Sequence, residues 1–407
     1  KNENKKFPIV VLLHGMHSWN DPSYRGYDYL ATNLAEQGYV VISLDANQIN
    51  ALHQGEPSSQ ARAQLILGTI DKLAQIDEFG GAGDLTALKG KLDFNRIGLM
   101  GHSRGGQAVN LAIKFNTTRF GNDISILKKA ILAYPKQFAL FPNLEAAAKL
   151  ETDETLLSVI SDNNINFAKT TDSTRPYNFK AAITIGPTDF EQIKGIANIP
   201  TATLLPSCDG DVSDLQGAFS YDNNRFSLQH DNAPKYQVVI RGANHNFYNT
   251  VWTTDDFNVA ESERDKATYC SSFRPNTIRQ AEADQHKMGQ FLINSFFRLY
   301  VGDEQQFKAY WNGTAQLPSS ACRKGDQTCD ERVLLSIQNQ GSKVIQRFDS
   351  SNASTVNLLG GLNRFEGFDP NGIIACKSFL GIKDTDRISK CSSTKVPFYN
   401  TLRMQTY

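Results

Sequence analysis

The densest cluster of chemically useful residue types is Gly101-His102-Ser103-Arg104-Gly105-Gly106. The Gly-x-Ser-x-Gly pattern alone would arise in roughly one chain in ten of this length. Its setting says more. The run 95–100 (NRIGLM) reads as a buried strand, and 107–115 reads as a helix. A serine between glycines at a strand-to-helix turn is a nucleophile elbow, in which the hydroxyl points off the sheet edge at a helix N-terminus. The bland alternative is a tight glycine-rich turn with a capping serine.

A serine hydroxyl needs a base. The seven histidines are His14, His17, His53, His102, His230, His245 and His286. His245 is the best placed, in Gly-Ala-Asn-His-Asn-Phe directly after the strand-like run 236–240. His14 and His17 follow the first strand and read as pocket-shaping. His286 falls inside a long helix. A base needs an orienting carboxylate. The run 201–205 leads into Pro206-Ser207-Cys208-Asp209-Gly210-Asp211-Val212-Ser213-Asp214. Asp209 is the first choice, because Asp-x-x-Val after a strand matches the acid loop of many serine hydrolases. Asp211 is second, and Asp189, after the preceding strand, is third. Asp209, Asp211 and Asp214 lack the spacing of a calcium loop, so no metal is expected. The oxyanion of an attacked carbonyl needs two preorganised N–H donors. These are expected from the backbones of Arg104, just after the serine, and Met16, in the loop after the first strand.

These residues need a scaffold that brings their loops together. The run 7–13 (FPIVVLL) is continuously apolar and β-branched, as in a strand buried on both faces. A helical pattern follows over 27–37, a second strand over 39–44 and an amphipathic helix over 60–76. Strand and helix alternate through residue 115, the signature of an α/β fold with a parallel sheet. The run 117–178 is rich in Asn, Asp and Thr and reads as a helical insertion or cap, with helices near 144–150 and 154–160. Strands resume at 179–185, 201–205 and 236–240, and a long helix is expected over 277–300. Beyond Gly302 the short runs VLLSI, KVIQRF, TVNLLG, NRFEGF and IIAC suggest a small β-rich C-terminal module. The expected domains are therefore 1–302 and 303–407.

Composition bounds the function. Lys plus Arg and Asp plus Glu are both 42, so the net charge is zero. That excludes a strongly basic nucleic-acid footprint as the main role. The longest apolar run is strand-sized, so no membrane helix is expected. The chain starts at Lys1 and reads as processed or trimmed. Its six cysteines all lie in the second half, and nearest-neighbour pairing would join 208–270, 322–329 and 376–391. Such pairing fits a secreted or periplasmic protein. Sequons at Asn116, Asn312 and Asn352 are compatible with that location.

FPIVVLLHG, GYDYLATNLAEQGYVVISLD, IGLMGHSRGGQAV, CDGDV and GANHNF, in this order, resemble the α/β-hydrolase superfamily. Within it the chain is similar to secreted bacterial esterases of the dienelactone-hydrolase, platelet-activating-factor acetylhydrolase and cutinase-like polyesterase group. The resemblance covers residues 7–300. It implies an α/β-hydrolase fold with a mostly parallel, doubly wound sheet, a Ser-Asp-His triad and ester hydrolysis through an acyl-enzyme, without a cofactor. The family's first two strands would precede Phe7, where only six residues stand here. The insertion and the C-terminal module lie outside the common core, so the resemblance does not carry the substrate.

The expected activity is that of a monomeric serine esterase on a small or polymeric ester. Trp19, Tyr24, Phe247 and Trp252 favour a lipid, aromatic or polyester group. An amidase or peptidase on the same triad is the first alternative. A non-catalytic binding protein on a hydrolase fold is the second.

Overall fold

The computed structural model describes residues 5–52, 57–116, 176–190, 198–213, 215–225, 231–257, 277–323 and 332–343. It also describes shorter stretches or single residues between 128 and 159, at 196, 270, 329 and 345, and between 355 and 366. Seven strands form one sheet: β1 (Phe7–Leu13), β2 (Val40–Leu44), β3 (Leu92–His102), β4 (Phe179–Ile185), β5 (Thr201–Pro206), β6 (Lys235–Ile240) and β7 (Val333–Gln338). Their order is β2-β1-β3-β4-β5-β6-β7. The pairings from β2 through β6 are all parallel. The chain is thus an α/β protein with a mostly parallel sheet.

The continuous apolar strands follow from burial on both faces. In β1, Val10 and Leu12 face one core with Tyr27, Leu30, Leu34, Leu292 and Phe296. Ile9, Val11 and Leu13 face the other, with Ile66, Ile70, Val109 and Ala112. The helices that close these faces are α1 (Asp28–Glu36), α2 (Asn47–Leu52), α3 (Pro57–Phe79) and α4 (Arg104–Asn116) early in the chain. They are followed by α5 (Leu144–Ala148), α6 (Gly217–Asn224) and α7 (Glu282–Tyr300). α1 and α7 cover one side, and α3 and α4 the other.

Two differences from the sequence expectation have physical causes. α7 starts at Glu282, not at 277, because the backbone N–H of Gln280 donates to the Gly242 carbonyl at 2.8 Å and holds this stretch extended. Glu282 and Asp284 then sit in the first turn, where the helix dipole favours acids. The first compact unit continues past residue 302 to Ile337. Trp311, Ala321, Cys322 and Cys329 are buried in the core beside Phe296, and the VLLSI run becomes β7 of the main sheet. The second unit spans Gln338–Tyr407, and its described part contains an antiparallel bridge between Val356 and Leu362. Most of the remaining β-like runs, and Cys376 and Cys391, lie outside the described residues. So does most of 117–178, within which α5 falls in the expected 144–150 helix.

Two of the expected disulfides are present, Cys208–Cys270 and Cys322–Cys329. Among the described residues no helix is long and apolar enough to cross a membrane. Asn116 is buried, and its side-chain amide is bonded through both ends to the Tyr177 backbone at 2.8 Å, so it is closed to glycosylation. Asn312 is exposed, and Asn352 lies outside the described residues.

Candidate active site

The strand order reverses at β1, which has β2 on one side and β3 on the other. In open α/β sheets ligands bind in the crevice outside the carboxyl ends of the strands at such a point. The five residues proposed for the triad and the oxyanion hole lie just beyond those ends, four on loops and Arg104 at the start of a helix. Met16 follows β1, Ser103 and Arg104 follow β3, Asp209 follows β5 and His245 follows β6.

Ser103 is the residue between β3 and α4, and its φ is +57°. A non-glycine residue in the left-handed region carries backbone strain of about 1–2 kcal/mol. The surroundings hold it there: Ser103 N–H donates to Ile185 O at 2.9 Å, and its carbonyl accepts from Gly106 N–H at 2.8 Å. The flanking glycines are required by close backbone approach. A Cβ on Gly101 would lie 2.1 Å from the Gly105 oxygen, and one on Gly105 would lie 2.4 Å from the Leu13 oxygen. A Cβ on Gly15 would lie 2.5 Å from Ser103 Cβ, so the loop leading to Met16 runs directly against the serine. Arg104 opens α4, and its backbone stands at the electropositive end of that helix. Its side chain turns aside, over the Phe190 ring at 5.4 Å and within 3.4 Å of Ser58 Oγ.

His245 and Asp209 are both buried, and His245 Nδ1 donates to Asp209 Oδ2 at 2.8 Å. The other Asp209 oxygen accepts the backbone N–H groups of Asp211 at 3.0 Å and Val212 at 2.6 Å. The Asp-x-x-Val loop therefore folds around its own acid. Burial pushes the Asp209 carboxyl up. Burial also works against a charged His245, but the charge and hydrogen bond of Asp209, with Asp211 and Asp256 nearby, outweigh it and hold this imidazole above the ordinary histidine value. His245 Nε2 makes no hydrogen bond among the described residues. The Ser103 and His245 loops meet at Gly186. Ser103 bonds to the preceding Ile185, and a Cβ on Gly186 would lie 2.9 Å from both Asp209 Oδ2 and His245 Nδ1.

The acids ranked lower from the sequence do not hold Nδ1. Asp211 Oδ2 lies 3.5 Å from His245 Nε2, on a side chain that is 59 % exposed. Asp189 is buried, with its N–H donating to Gln216 Oε1 at 3.0 Å. Asp214 lies outside the described residues. His14 is a scaffold group: its Nε2 accepts the Ala46 N–H at 2.9 Å, and burial lowers its pKa to about 4. Of the four aromatics, Trp252 reaches the histidines. Its ring stacks on His17 at 4.8 Å and lies 4.7 Å from His102, which itself lies 4.8 Å from His245. Trp19 is exposed, and Tyr24 and Phe247 are half-buried.

Asp256 was not singled out from the sequence, yet it ties two loops of the site together. Its Oδ2 accepts Gly210 N–H at 2.7 Å and His245 N–H at 3.2 Å, and its Oδ1 accepts Asn246 N–H at 2.9 Å. Gln285 of α7 clamps Asn244 from the other side, through both the N–H and the carbonyl of that residue. The Cys208–Cys270 disulfide anchors the acid loop next to Asp209. Asp256 stands in Thr-Thr-Asp-Asp-Phe, a pattern with no chemical signature of its own.

The chain matches no known family model and none of the curated proteins. The functional reading therefore rests on fold and geometry.

Proposed function

We propose that this chain is a serine hydrolase of the α/β-hydrolase type that cleaves carboxylic esters. The observation that carries the reading is one juxtaposition. A serine in the left-handed conformation joins a buried parallel strand to a helix, and a buried His–Asp pair stands on the neighbouring loops. Holding a serine in a strained turn at a glycine-lined crevice has a direct use if its hydroxyl attacks substrate.

In this mechanism His245 Nε2 takes the Ser103 proton as Oγ attacks the ester carbonyl. Asp209 keeps the Nδ1–H tautomer and stabilises the imidazolium that forms. The N–H groups of Met16 and Arg104 receive the oxyanion. The imidazolium then protonates the leaving alcohol, and water repeats the sequence on the acyl-enzyme, restoring Ser103 and releasing the acid. The zero net charge supports an uncharged ester as substrate, since no global field steers an ionic one. The two disulfides are compatible with a secreted or periplasmic location.

Covalent labelling with a fluorophosphonate probe, followed by peptide mapping, tests this reading. The expected adduct is on Ser103, with p-nitrophenyl ester turnover that is lost in Ser103→Ala. Turnover that survives in Ser103→Ala, or an absence of both labelling and turnover in the wild-type chain, overturns it.

A further inference from the structure

Two buried cations among the described residues take no part in the mechanism above, Lys235, which pairs with Asp231, and Arg62. Arg62, on α3, is fully buried, no ion pair joins it to a carboxylate among the described residues, and the charge acting on it is that of Arg104. A guanidinium without a counter-ion in an interior carries a large desolvation penalty. Its partners show where the charge is directed. Nη1 donates to Ser58 O at 3.3 Å, and Nη2 donates to Gly15 O at 3.2 Å and to the Asn50 side-chain oxygen.

The Gly15 carbonyl oxygen is a convergence point. It accepts from Arg62 Nη2, from His14 Nδ1 at 2.9 Å and from Asn50 Nδ2 at 3.4 Å. Because His14 Nε2 accepts from Ala46, the proton of His14 sits on Nδ1, facing this oxygen. Three side chains from β1's end, α2 and α3 thus hold one carbonyl. That carbonyl belongs to the same peptide unit as the N–H of Met16. The unit is trans, so its C=O and N–H point in opposite directions. Fixing the oxygen from behind aims the Met16 N–H forward. The unit also abuts Ser103, since a Cβ on Gly15 would strike the serine Cβ. A cation on the oxygen end further polarises the amide and makes its N–H a stronger donor.

We propose that Arg62 is a positioning residue of the oxyanion hole, acting with Asn50 and His14 through the Gly15–Met16 peptide. The inference rests on the serine-hydrolase reading and adds to it a residue 41 positions away from the serine in sequence. Burial and the neighbouring Arg104 lower the Arg62 pKa to about 9, which leaves it charged at neutral pH.

The test uses the full chain with Arg62→Gln, Arg62→Lys and Asn50→Ala. The measured quantities are kcat and KM for a p-nitrophenyl ester, normalised to sites titrated with a fluorophosphonate, and the Ki of a trifluoromethyl ketone, whose hemiketal oxygen occupies the oxyanion position. Removing one oxyanion donor typically lowers kcat by about 10²–10³. Loosening a donor should do less, so Arg62→Gln is expected to lower kcat about 10–100-fold with KM within threefold. The trifluoromethyl ketone Ki should rise by the same factor, and Arg62→Lys should recover part of the loss. A merely structural arginine would lower the melting temperature and leave kcat per titrated site and the Ki unchanged. That result overturns the proposal. If Arg62→Gln does not fold, Arg62→Lys and Asn50→Ala decide, and wild-type kcat and Ki in both overturn it. A wild-type chain that neither labels nor turns over ester fails the hydrolase reading itself, a different outcome from an active wild type with an indifferent Arg62.

Discussion

The Asp211 carboxylate lies 3.5 Å from Nε2 of His245, on the side of the ring opposite the nitrogen that Asp209 holds. The imidazole therefore has a carboxylate at each nitrogen, one buried and one largely exposed. In the proposed mechanism only a neutral His245 can take the Ser103 proton. Burial favours that form, but the acids outweigh it and raise the pKa to about 9.

Ester turnover should therefore rise with pH, with kcat/KM half-maximal above the ordinary histidine value of 6.5 and toward 9. Removing the outer charge in Asp211→Asn should lower that midpoint by about half to one pH unit, the size of a Coulomb interaction at this distance when water screens an exposed carboxylate. Kinetics from pH 5 to 10 check this, and added salt should shrink the difference between the two proteins. An unchanged midpoint in Asp211→Asn would show that its charge does not reach Nε2. Stability runs the other way. The raised pKa of the folded state stabilises it fully below about 6.5, and that contribution fades as pH rises through the folded value.

Asp256 fastens the backbone on either side of the site. Its carboxylate receives N–H groups from Gly210 in the acid loop and from His245 and Asn246 in the histidine loop. Hydrogen bonds to a charged group contribute about 1.5–3 kcal/mol each, and they share the two oxygens of one carboxylate here, so they do not simply add. Asp256→Ala should lower unfolding free energy by about 2–4 kcal/mol. It should also lower kcat at least tenfold, because both loops lose their common anchor. Urea denaturation and steady-state kinetics measure the two effects, and a stable variant with wild-type kcat would remove Asp256 from the site.

How much of this was legible in the sequence depended on where each residue's partner lies. Ser103 announces itself because its glycines, its strand and its helix are adjacent in the chain. Asp209 could be preferred over Asp211 because the Asp-x-x-Val turn is local: Val212 N–H closes on Asp209 itself. Asp256 and Arg62 were silent because their partners are backbone atoms of distant loops, 46 residues off for Gly210 and 47 for Gly15. The 303–337 segment looked separate for the same reason. VLLSI reads as a short β-like run set apart by turn-forming residues, and nothing local shows that it joins the main sheet next to β6.

The strain at Ser103 predicts a difference between two inactive variants. At φ +57° a serine or alanine carries a steric penalty that glycine does not. Glycine loses more chain entropy on folding, which offsets part of this gain. Ser103→Gly should therefore be more stable than Ser103→Ala by about 1 kcal/mol, while both lack turnover. Equal stability would mean that the elbow is not strained when the protein is folded.

Gly186 offers a way to break the His–Asp pair without touching either partner. It follows β4 with φ +43°, and its α-carbon faces the contact between Asp209 and His245. A methyl group there would stand 2.9 Å from Asp209 Oδ2 and from His245 Nδ1, closer than real Cβ contacts allow. Neither partner can retreat easily. Asp209 is pinned by two backbone N–H groups, and the His245 backbone is pinned by Asp256. Gly186→Ala should therefore part the two rather than shift them together. A misplacement of about 1 Å near the chemistry can lower turnover by about 10²-fold. The expected result is a kcat loss of about 10²–10³ with KM little changed. The downfield proton resonance of a buried His–Asp hydrogen bond should be present in the wild type and lost in the variant. If Gly186→Ala loses that resonance and keeps its kcat, the Asp209–His245 contact is not what orients the base.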